Sequence, residues 1–386
     1  MTAAGEGMGL KFGMVGGGEG SFIGDVHRKA IGLTGKAEIV CGCFDINREN
    51  NLKSGLMYGI PENRIYKDFA EMADAEASTP EKIDFVTIAT PNNLHYPIAK
   101  EFLSKGFNVV CEKPLCFEPD EGLELQKLAE EKGCLFGMTY TYIGYPMVKQ
   151  ARQMVRTGAI GEIVEVIAEY AQDWLAEHCQ KTDGNPVAWR NDPKIAGKSG
   201  CVGDIGSHIE CTVAYITGLK IEAVSANLRA AGKGVKLDSI GEILVRFNNG
   251  ASGIYWCSQM AYGYNNGLRI RIFGTKGSLE WVQEDPCKLK MTVFGEPTHL
   301  YTQGKGYLDG DASRYCRLPA GHPEGFYEAF ANIYSAFADA LVQKKSGRAL
   351  ADNMTDFAGI NEGISGVRFI NGCIESSQNN SVWMDL

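Results

Sequence analysis

Short apolar runs alternate with helical stretches over the first third of the chain. The apolar runs predict strands at 10–15, 38–44, 83–89, 108–111 and 134–138. The stretches between them predict helices at 23–33, 48–58, 96–105 and 119–132. Strands that alternate with helices in this way pair in parallel through right-handed crossovers, so the pattern predicts a doubly wound parallel sheet.

The rhythm changes near residue 140. A helix near 147–156 precedes a long strand at 160–170, and a loop rich in Gly, Pro, Asn and Asp follows at 182–203. After a helix at 205–216, strands are predicted near 221–230, 239–247, 251–260, 268–274 and 277–282, and short turns such as Asn248-Asn249-Gly250 join them. Segments 323–344 and 352–374 are again predicted to be helical. The pattern therefore predicts two α/β domains, 1–140 with the parallel sheet and 141–386 with an open, mostly antiparallel sheet.

Composition narrows the class of protein. Of the 386 residues, 44% are apolar and 22% are charged, as in ordinary globular chains. The net charge of −9 is not accompanied by any block of Lys or Arg, so neither nucleic acid nor an anionic membrane is an expected partner. The apolar runs are too short to span a bilayer, and the N-terminus lacks the pattern of a signal peptide. The 12 cysteines include no C-x-x-C pair, so we expect reduced thiols, no metal site and a cytoplasmic location.

A glycine-rich turn joins the first predicted strand to the first predicted helix. Glycine lets the backbone turn tightly and approach a pyrophosphate, whose charge is stabilised by the N-terminus of the helix. Gly16 and Gly18 fit the first two positions of G-x-G-x-x-G, but Gly24 follows Gly18 by six residues rather than three. The strand before the turn and the helix after it favour a dinucleotide site over an ordinary glycine-rich turn. The cofactor contacts predicted here are Gly16, Gly18, Gly20, Ser21, Phe22 and Ile23.

Asp45 stands at the end of the second predicted strand, 21 residues after Gly24. A carboxylate at this place accepts hydrogen bonds from the adenosine ribose and repels a 2′-phosphate, which favours NAD over NADP. An acidic residue that only belongs to the turn before the next helix is the alternative. Arg48 follows closely and complicates the choice, because a guanidinium accommodates that phosphate.

Further motifs resemble one known family. Thr90-Pro91-Asn92-Asn93-Leu94-His95 follows the strand at 83–89, and Cys111-Glu112-Lys113-Pro114-Leu115 closes the strand at 108–111. Downstream stand Ala188-Trp189-Arg190, Gly203-Asp204-Ile205-Gly206-Ser207-His208 and Phe273-Gly274-Thr275-Lys276-Gly277-Ser278. Together with the glycine turn, these segments resemble the Gfo/Idh/MocA oxidoreductases over nearly the whole chain.

The resemblance implies a Rossmann domain followed by a C-terminal domain whose open sheet makes the contacts of a homodimer or homotetramer. It also implies further contacts with the nicotinamide cofactor from Thr90, Asn92, His95, Glu112, Lys113, Trp189 and Arg190. For His95 a place at the start of a helix, and for Trp189 core packing, are the structural alternatives. The run G-G-G-x-G-S-F-I-G-x-V-H-R at 16–28 resembles that of sugar and glycoside dehydrogenases in the family.

Three residues predict the chemistry. Oxidation of a secondary alcohol needs a base for the hydroxyl proton, and histidine suits this task because its pKa lies near neutrality. We interpret His208 as the general acid/base and Asp204, four residues earlier on the same helix face, as a group that orients the substrate or tunes the histidine. Lys113, after a buried strand, stabilises the developing alkoxide. Substrate contacts are expected from Lys113, Asp204, His208, Tyr142, Asp173, Trp174 and His322, the last of which equally suits a turn before a helix.

The sequence therefore predicts hydride transfer between NAD and a secondary hydroxyl of a sugar, glycoside or polyol. A glycosidase that retains NAD and cleaves by transient oxidation is an alternative, and it would cleave glycosides without net formation of NADH. A non-catalytic nucleotide-binding sensor is a third class. It should lack the Lys113, Asp204 and His208 trio that this chain retains.

Overall fold

The computed structural model describes residues 9–182, 189–350 and 355–386. It contains a parallel sheet, a second sheet that is mostly antiparallel, and helices packed against both. The predicted α/β class, with one sheet of each kind, is confirmed.

The N-terminal sheet is parallel, with the order β2-β1-β3-β4-β5. Its strands are β1 (Leu10–Gly16), β2 (Ala37–Cys43), β3 (Phe85–Ala89), β4 (Asn108–Cys111) and β5 (Phe136–Met138). Its helices are α1 (Phe22–Thr34), α2 (Arg48–Met57), α3 (Phe69–Ser78), α4 (His95–Ser104) and α5 (Pro119–Lys132). Every residue of β3 is buried, as expected of a central strand covered on both faces. The sequence pattern did not predict α3, whose short Ala- and Glu-rich segment buries only Met72, Ala73 and Glu76.

The C-terminal sheet has the order β13-β12-β11-β10-β6-β9-β8-β7-β14. Its strands are β6 (Ile163–Ala171), β7 (Ile221–Arg229), β8 (Ile240–Phe247), β9 (Ser252–Ser258), β10 (Gly267–Gly274), β11 (Gly277–Val282), β12 (Lys288–Val293), β13 (His299–Thr302) and β14 (Met384–Asp385). In the described part of the chain, β6 and β9 pair in parallel and the other neighbours are antiparallel. Side chains of β8 alternate between buried and exposed, so one face of the sheet is packed and the other is open.

The remaining helices are α6 (Pro146–Arg156), α7 (Trp174–Lys181), α8 (Pro193–Ala196), α9 (Ser207–Thr217), α10 (Gly310–Ser313), α11 (Phe326–Lys345) and α12 (Ile360–Gln378). The helix predicted at 352–374 starts on residues outside the described ranges, and α12 begins later, at Ile360. The predicted loop at 182–203 contains α8, while its residues 183–188, including Ala188, also lie outside those ranges. Within the described ranges, no helix combines the length and apolar character needed to cross a membrane.

Helix α11 packs on the parallel sheet, although it lies far along the chain. Its Phe330, Tyr334 and Phe337 share a buried cluster with Phe12 and Phe85 of β1 and β3. The rings of Phe85 and Phe337 stand 5.3 Å apart, centroid to centroid. A division at residue 140 therefore separates the two sheets. However, α11, which helps to cover one face of the parallel sheet, comes from the part of the chain after that division.

Candidate active site

A cleft of about 860 Å³ opens between the two sheets. It lies at the carboxyl ends of β3 and β4, the edge at which open α/β sheets bind their ligands. Thirteen of the predicted site residues line it: Phe22, Ile23, Thr90, Asn92, His95, Glu112, Lys113, Tyr142, Trp174, Trp189, Arg190, Asp204 and His208. The structure thus brings together residues that the sequence places in two different domains.

The glycine turn has the shape that a dinucleotide requires. Gly16 adopts φ +79°, and a Cβ there would lie 2.5 Å from the carbonyl oxygen of Ala89. A Cβ on Gly24 would lie 2.3 Å from the Cα of Gly17, so Gly24 permits the close packing of α1 on the turn. The third glycine of G-x-G-x-x-G allows the helix to pack closely on the turn. Gly24 takes this role in spite of the longer spacing.

The N-terminus of α1 faces this turn. Ser21 is the N-cap, and its Oγ accepts a hydrogen bond from the backbone N–H of Gly24 at 3.1 Å. Gly20 adopts φ +82° with open space around it. Unpaired N–H groups at a helix N-terminus bind phosphate oxygens, so the turn and α1 fit the pyrophosphate of a dinucleotide.

Asp45 and Arg48 follow β2, outside the lining of the cleft. One carboxylate oxygen of Asp45 accepts the backbone N–H of Asn47 at 2.7 Å, so the residue does belong to the turn before α2. Arg48 is exposed at the first position of that helix. Both interpretations of Asp45 given by the sequence are thus compatible with its position.

An ion pair between Lys113 and Asp204 joins the two domains inside the cleft. The Lys113 Nζ donates to Oδ1 of Asp204 at 2.8 Å and to the backbone carbonyl of the same residue at 2.7 Å. Gln259 Nε2 donates to the other carboxylate oxygen at 2.8 Å. Burial disfavours the charged carboxylate, but the Lys113 ammonium and then the Arg190 guanidinium outweigh it and lower the pKa of Asp204 to about 2. An ammonium has three donors, so Lys113 keeps one for a ligand.

His208 is 8% exposed, and its Nδ1 has no hydrogen-bond partner among the described residues. Its ring lies 4.8 Å from that of Tyr142, centroid to centroid. Burial, reinforced by the charge of Lys113, lowers the pKa of His208 to about 3 and outweighs the opposite effect of Asp204. The imidazole is therefore neutral at physiological pH.

The segment that carries Asp204 and His208 is not the regular helix that the sequence analysis assumed. Residues Val202–Gly206 form a π-helical turn, and the α-helix begins only at Ser207. Asp238 holds this turn, because its carboxylate accepts the N–H of Gly200 at 2.8 Å and that of Val202 at 2.9 Å. Both Asp204 and His208 face the cleft, but the Asp204 carboxylate binds Lys113 and Gln259, so it acts on the histidine through its charge.

Glu112 belongs to a buried network behind Lys113. Its Oε1 accepts from Thr139 Oγ1 at 2.6 Å and lies 3.1 Å from Nε2 of His27. The other ring nitrogen of His27 lies 2.5 Å from the hydroxyl of Tyr334 on α11. The sequence analysis missed His27 and Tyr334, which tie α1 and α11 to the strand that presents Lys113.

His95 is completely buried at the start of α4. Its Nδ1 lies 2.6 Å from the carbonyl oxygen of Pro114, and its Nε2 lies 3.0 Å from that of Thr90. Nearby, the side-chain amide of Asn92 donates to the carbonyl oxygen of Ala196 at 2.9 Å. His95 therefore fixes the two strand-end loops to each other, and Asn92 fixes one of them to the C-terminal segment.

Two predicted substrate contacts are not brought to the cleft. Asp173 is the N-cap of α7, and its carboxylate accepts the N–H of Gly263 at 3.1 Å, whereas its neighbours Gln172 and Trp174 do line the cleft. His322 is exposed, and its Nδ1 lies 3.1 Å from the carbonyl oxygen of Pro319. It belongs to the turn before α11, which was the structural alternative for this residue.

The end of the cleft beyond His208 is lined by neutral polar side chains. Tyr142, predicted from the sequence, is hydrogen-bonded to Tyr170 and to Asn266. Asn266 also contacts Gln172 and Gln283. The sequence analysis missed four of these residues. Tyr170 lies in β6 and Gln172 just after it, whereas Asn266 precedes β10 and Gln283 follows β11. At the mouth, the Arg190 guanidinium lies 4.2 Å from the centre of the Trp189 ring.

Comparisons with known proteins identify the family of this chain. Residues 10–140 match the model of an oxidoreductase family with an NAD-binding Rossmann fold, and residues 148–280 match that of the GFO/IDH/MocA C-terminal domain. YfiI, an uncharacterized oxidoreductase of Bacillus subtilis, is 36% identical over 97% of this chain and 96% of its own. A levoglucosan dehydrogenase of Pseudarthrobacter phenanthrenivorans is 29% identical over 67% of this chain and 74% of its own.

A solved structure is similar over the whole length. The crystal structure of an inositol dehydrogenase homologue from Azotobacter vinelandii, complexed with NADH and myo-inositol, is 32% identical and has a TM-score of 0.90. The match covers 98% of each chain. The chain therefore belongs to the Gfo/Idh/MocA family of oxidoreductases and binds NAD through its N-terminal Rossmann domain.

Proposed function

We propose that this protein is an NAD-dependent dehydrogenase that moves a hydride between a secondary hydroxyl carbon of a sugar or polyol and the nicotinamide. One observation carries the proposal: the ion pair of Lys113 with Asp204 lies in the same cleft as the neutral ring of His208. The named activities of the levoglucosan dehydrogenase and of the inositol dehydrogenase homologue support the substrate class.

The residues of the cleft have separate tasks in this reaction. Bound NAD supplies the hydride acceptor. His208 takes the hydroxyl proton, because its imidazole is neutral and lines the cleft beside Lys113 and Asp204. Lys113 donates its remaining N–H to the substrate oxygen and stabilises the charge that develops there. Asp204 holds the Lys113 ammonium in place, and its charge favours the imidazolium that forms.

The cofactor would be held along the edge of the parallel sheet. The glycine turn and Ser21 would bind the pyrophosphate, and Asp45 the adenosine ribose. Thr90, Asn92, Trp189 and Arg190 would face the nicotinamide half, since all four line the cleft. A carboxylate at position 45 repels a 2′-phosphate, so we propose NAD as the preferred cofactor over NADP.

The test is the formation of NADH, measured by absorbance, over a panel of free sugars, methyl glycosides and inositols, with NAD and NADP compared. We expect oxidation of at least one neutral sugar or polyol with NAD. Cleavage of a glycoside without accumulation of NADH would instead identify a glycosidase that acts by transient oxidation. Binding of NAD without any turnover across the panel would contradict the proposal.

A further inference from the structure

The donor and acceptor of each hydrogen bond at the end of the cleft beyond His208 can be assigned in turn, starting from an indole N–H. The indole Nε1 of Trp174 donates to Oε1 of Gln172 at 3.0 Å. An indole N–H only donates, so this contact fixes which way the Gln172 amide points. The Nε2 of Gln172 therefore faces Asn266, and donates to its Oδ1 at 2.7 Å.

The amide of Asn266 is fixed in turn. Its Oδ1 accepts from Gln172 and, at 2.6 Å, from the hydroxyl of Tyr170. Its Nδ2 therefore points the other way, toward the Tyr142 hydroxyl at 3.3 Å and Oε1 of Gln283 at 3.3 Å. The Gln172 amide fixes this orientation, and the Tyr170 hydroxyl, which can donate or accept, must then donate to Oδ1.

The two phenols are then left without free protons. Tyr170 has one hydroxyl proton, which it donates to Asn266. The hydrogen bond between Tyr142 and Tyr170 must therefore use the proton of Tyr142. Burial raises the pKa of both hydroxyls, so both remain protonated. What each phenol oxygen still offers to the cleft is a lone pair.

We infer that Tyr142, whose proton is held by Tyr170, forms an acceptor-only subsite beside His208, which selects substrates that present a second hydroxyl as a hydrogen-bond donor near the one that is oxidised. The inference rests on the proposed function. The Tyr142 ring is 4.8 Å from that of His208, and both phenols line the cleft. A substrate group that only accepts, such as fluorine or a methyl ether, faces this lone pair and leaves it without a donor.

The test uses D-glucose, D-galactose, D-mannose and myo-inositol, with the monodeoxy-monofluoro analogues of whichever is oxidised fastest. Fluorine is close to a hydroxyl in size but cannot donate. We expect replacement at one position next to the reacting carbon to lower kcat/KM by about 10- to 100-fold, because a buried acceptor loses its donor. Replacement at a remote position should have a smaller effect.

Three variants connect the selection to the phenols. Tyr142→Phe removes the proposed acceptor, and Tyr170→Phe frees the Tyr142 proton for the ligand. Each should bring the ratio of hydroxyl to fluoro substrate to within about threefold. Tyr145→Phe is the matched control and should keep the wild-type ratio. Tyr145 is buried outside the lining of the cleft, and among the described residues its hydroxyl accepts a single long contact of 3.5 Å from Gln283.

The outcomes separate the two proposals. If the parent sugar is oxidised but every fluoro analogue reacts within threefold of it, the subsite is refuted and the proposed function stands. The same holds if Tyr142→Phe and Tyr170→Phe bind NADH normally yet keep the wild-type ratio. If neither these four compounds nor any other sugar, methyl glycoside or inositol of the panel reduces NAD, this inference falls together with the activity on which it rests.

Discussion

Replacement of Lys113 by methionine separates chemistry from cofactor binding. The substitution keeps a long side chain but removes the ammonium, whose Nζ makes contacts of 2.7 and 2.8 Å to Asp204. We expect kcat to fall by about 10²–10⁴-fold, because the developing alkoxide loses its charged donor and the proton transfer to His208 loses its alignment. The dissociation constant of NADH should change by less than about fivefold, because the glycine turn and α1 remain intact.

The same variant has a signature in its pH profile. The positive charge of Lys113 is one cause of the low pKa of His208, which is about 3. Without it the pKa of His208 rises, so the acid limb of kcat/KM moves to higher pH than in the wild type. The pKa of Asp204 rises as well, because the ammonium is the leading group that holds it at about 2 against burial.

Steady-state kinetics over a pH series and NADH fluorescence titrations measure both effects. Lys198→Met is a suitable control, since Lys198 is half exposed and pairs with Glu118 at 2.5 Å outside the ion pair of the cleft. A kcat within threefold of wild type, with the acid limb unmoved, would refute the assignment of Lys113. Loss of NADH binding in parallel with kcat would show that the lysine supports the fold rather than the reaction.

Three further predictions concern pH, cofactor and assembly. Because the fold lowers the pKa of His208 from 6.5 to about 3, the unfolded chain binds the proton first, and stability falls as the pH drops below 6.5. By about pH 5 the free energy of unfolding has fallen by about 2 kcal/mol. Urea unfolding should show this loss in the wild type but not in His208→Gln. An equal pH dependence of stability in both proteins would contradict the prediction. Asp45→Ser should reduce the preference for NAD over NADP in binding titrations, and a wild-type preference for NADP would overturn the role of Asp45. Leu244 and Ile254, a cross-strand pair on the open sheet face with 48% and 44% exposure, should be covered in a dimer or tetramer. Leu244→Arg should then shift sedimentation toward the monomer, whereas a monomeric wild type at micromolar concentration would contradict the assembly.

The parallel sheet and the place of Lys113 in the cleft were predictable because their signals are local. Apolar runs mark the buried strands, and the glycine turn and the Glu112-Lys113-Pro114 step occur where those strands end. The carboxyl ends of neighbouring parallel strands meet at one edge, so the sequence order alone brings these motifs together. Position 113 therefore could be assigned to the cleft before any distance was known.

The substrate end was not predictable in the same way. Tyr170, Gln172, Asn266 and Gln283 approach one another only through the pairing of β6 with β10 and the hairpin that follows. Amide side chains have no periodicity or spacing of their own, so they resemble ordinary surface residues in the sequence. The π-helical turn at Val202–Gly206 was missed for a related reason, because it depends on Asp238, more than thirty residues downstream.

The position of α11 has a consequence for the synthesis of this chain. The strands that α11 covers end with β5 at Met138, but the helix itself spans Phe326–Lys345. While the intervening residues are translated, the apolar face around Phe12 and Phe85 has emerged from the ribosome without its cover. Nascent chains of this protein therefore expose an apolar surface until α11 has been synthesised. A chaperone that recognises exposed aromatic side chains should bind them during this time.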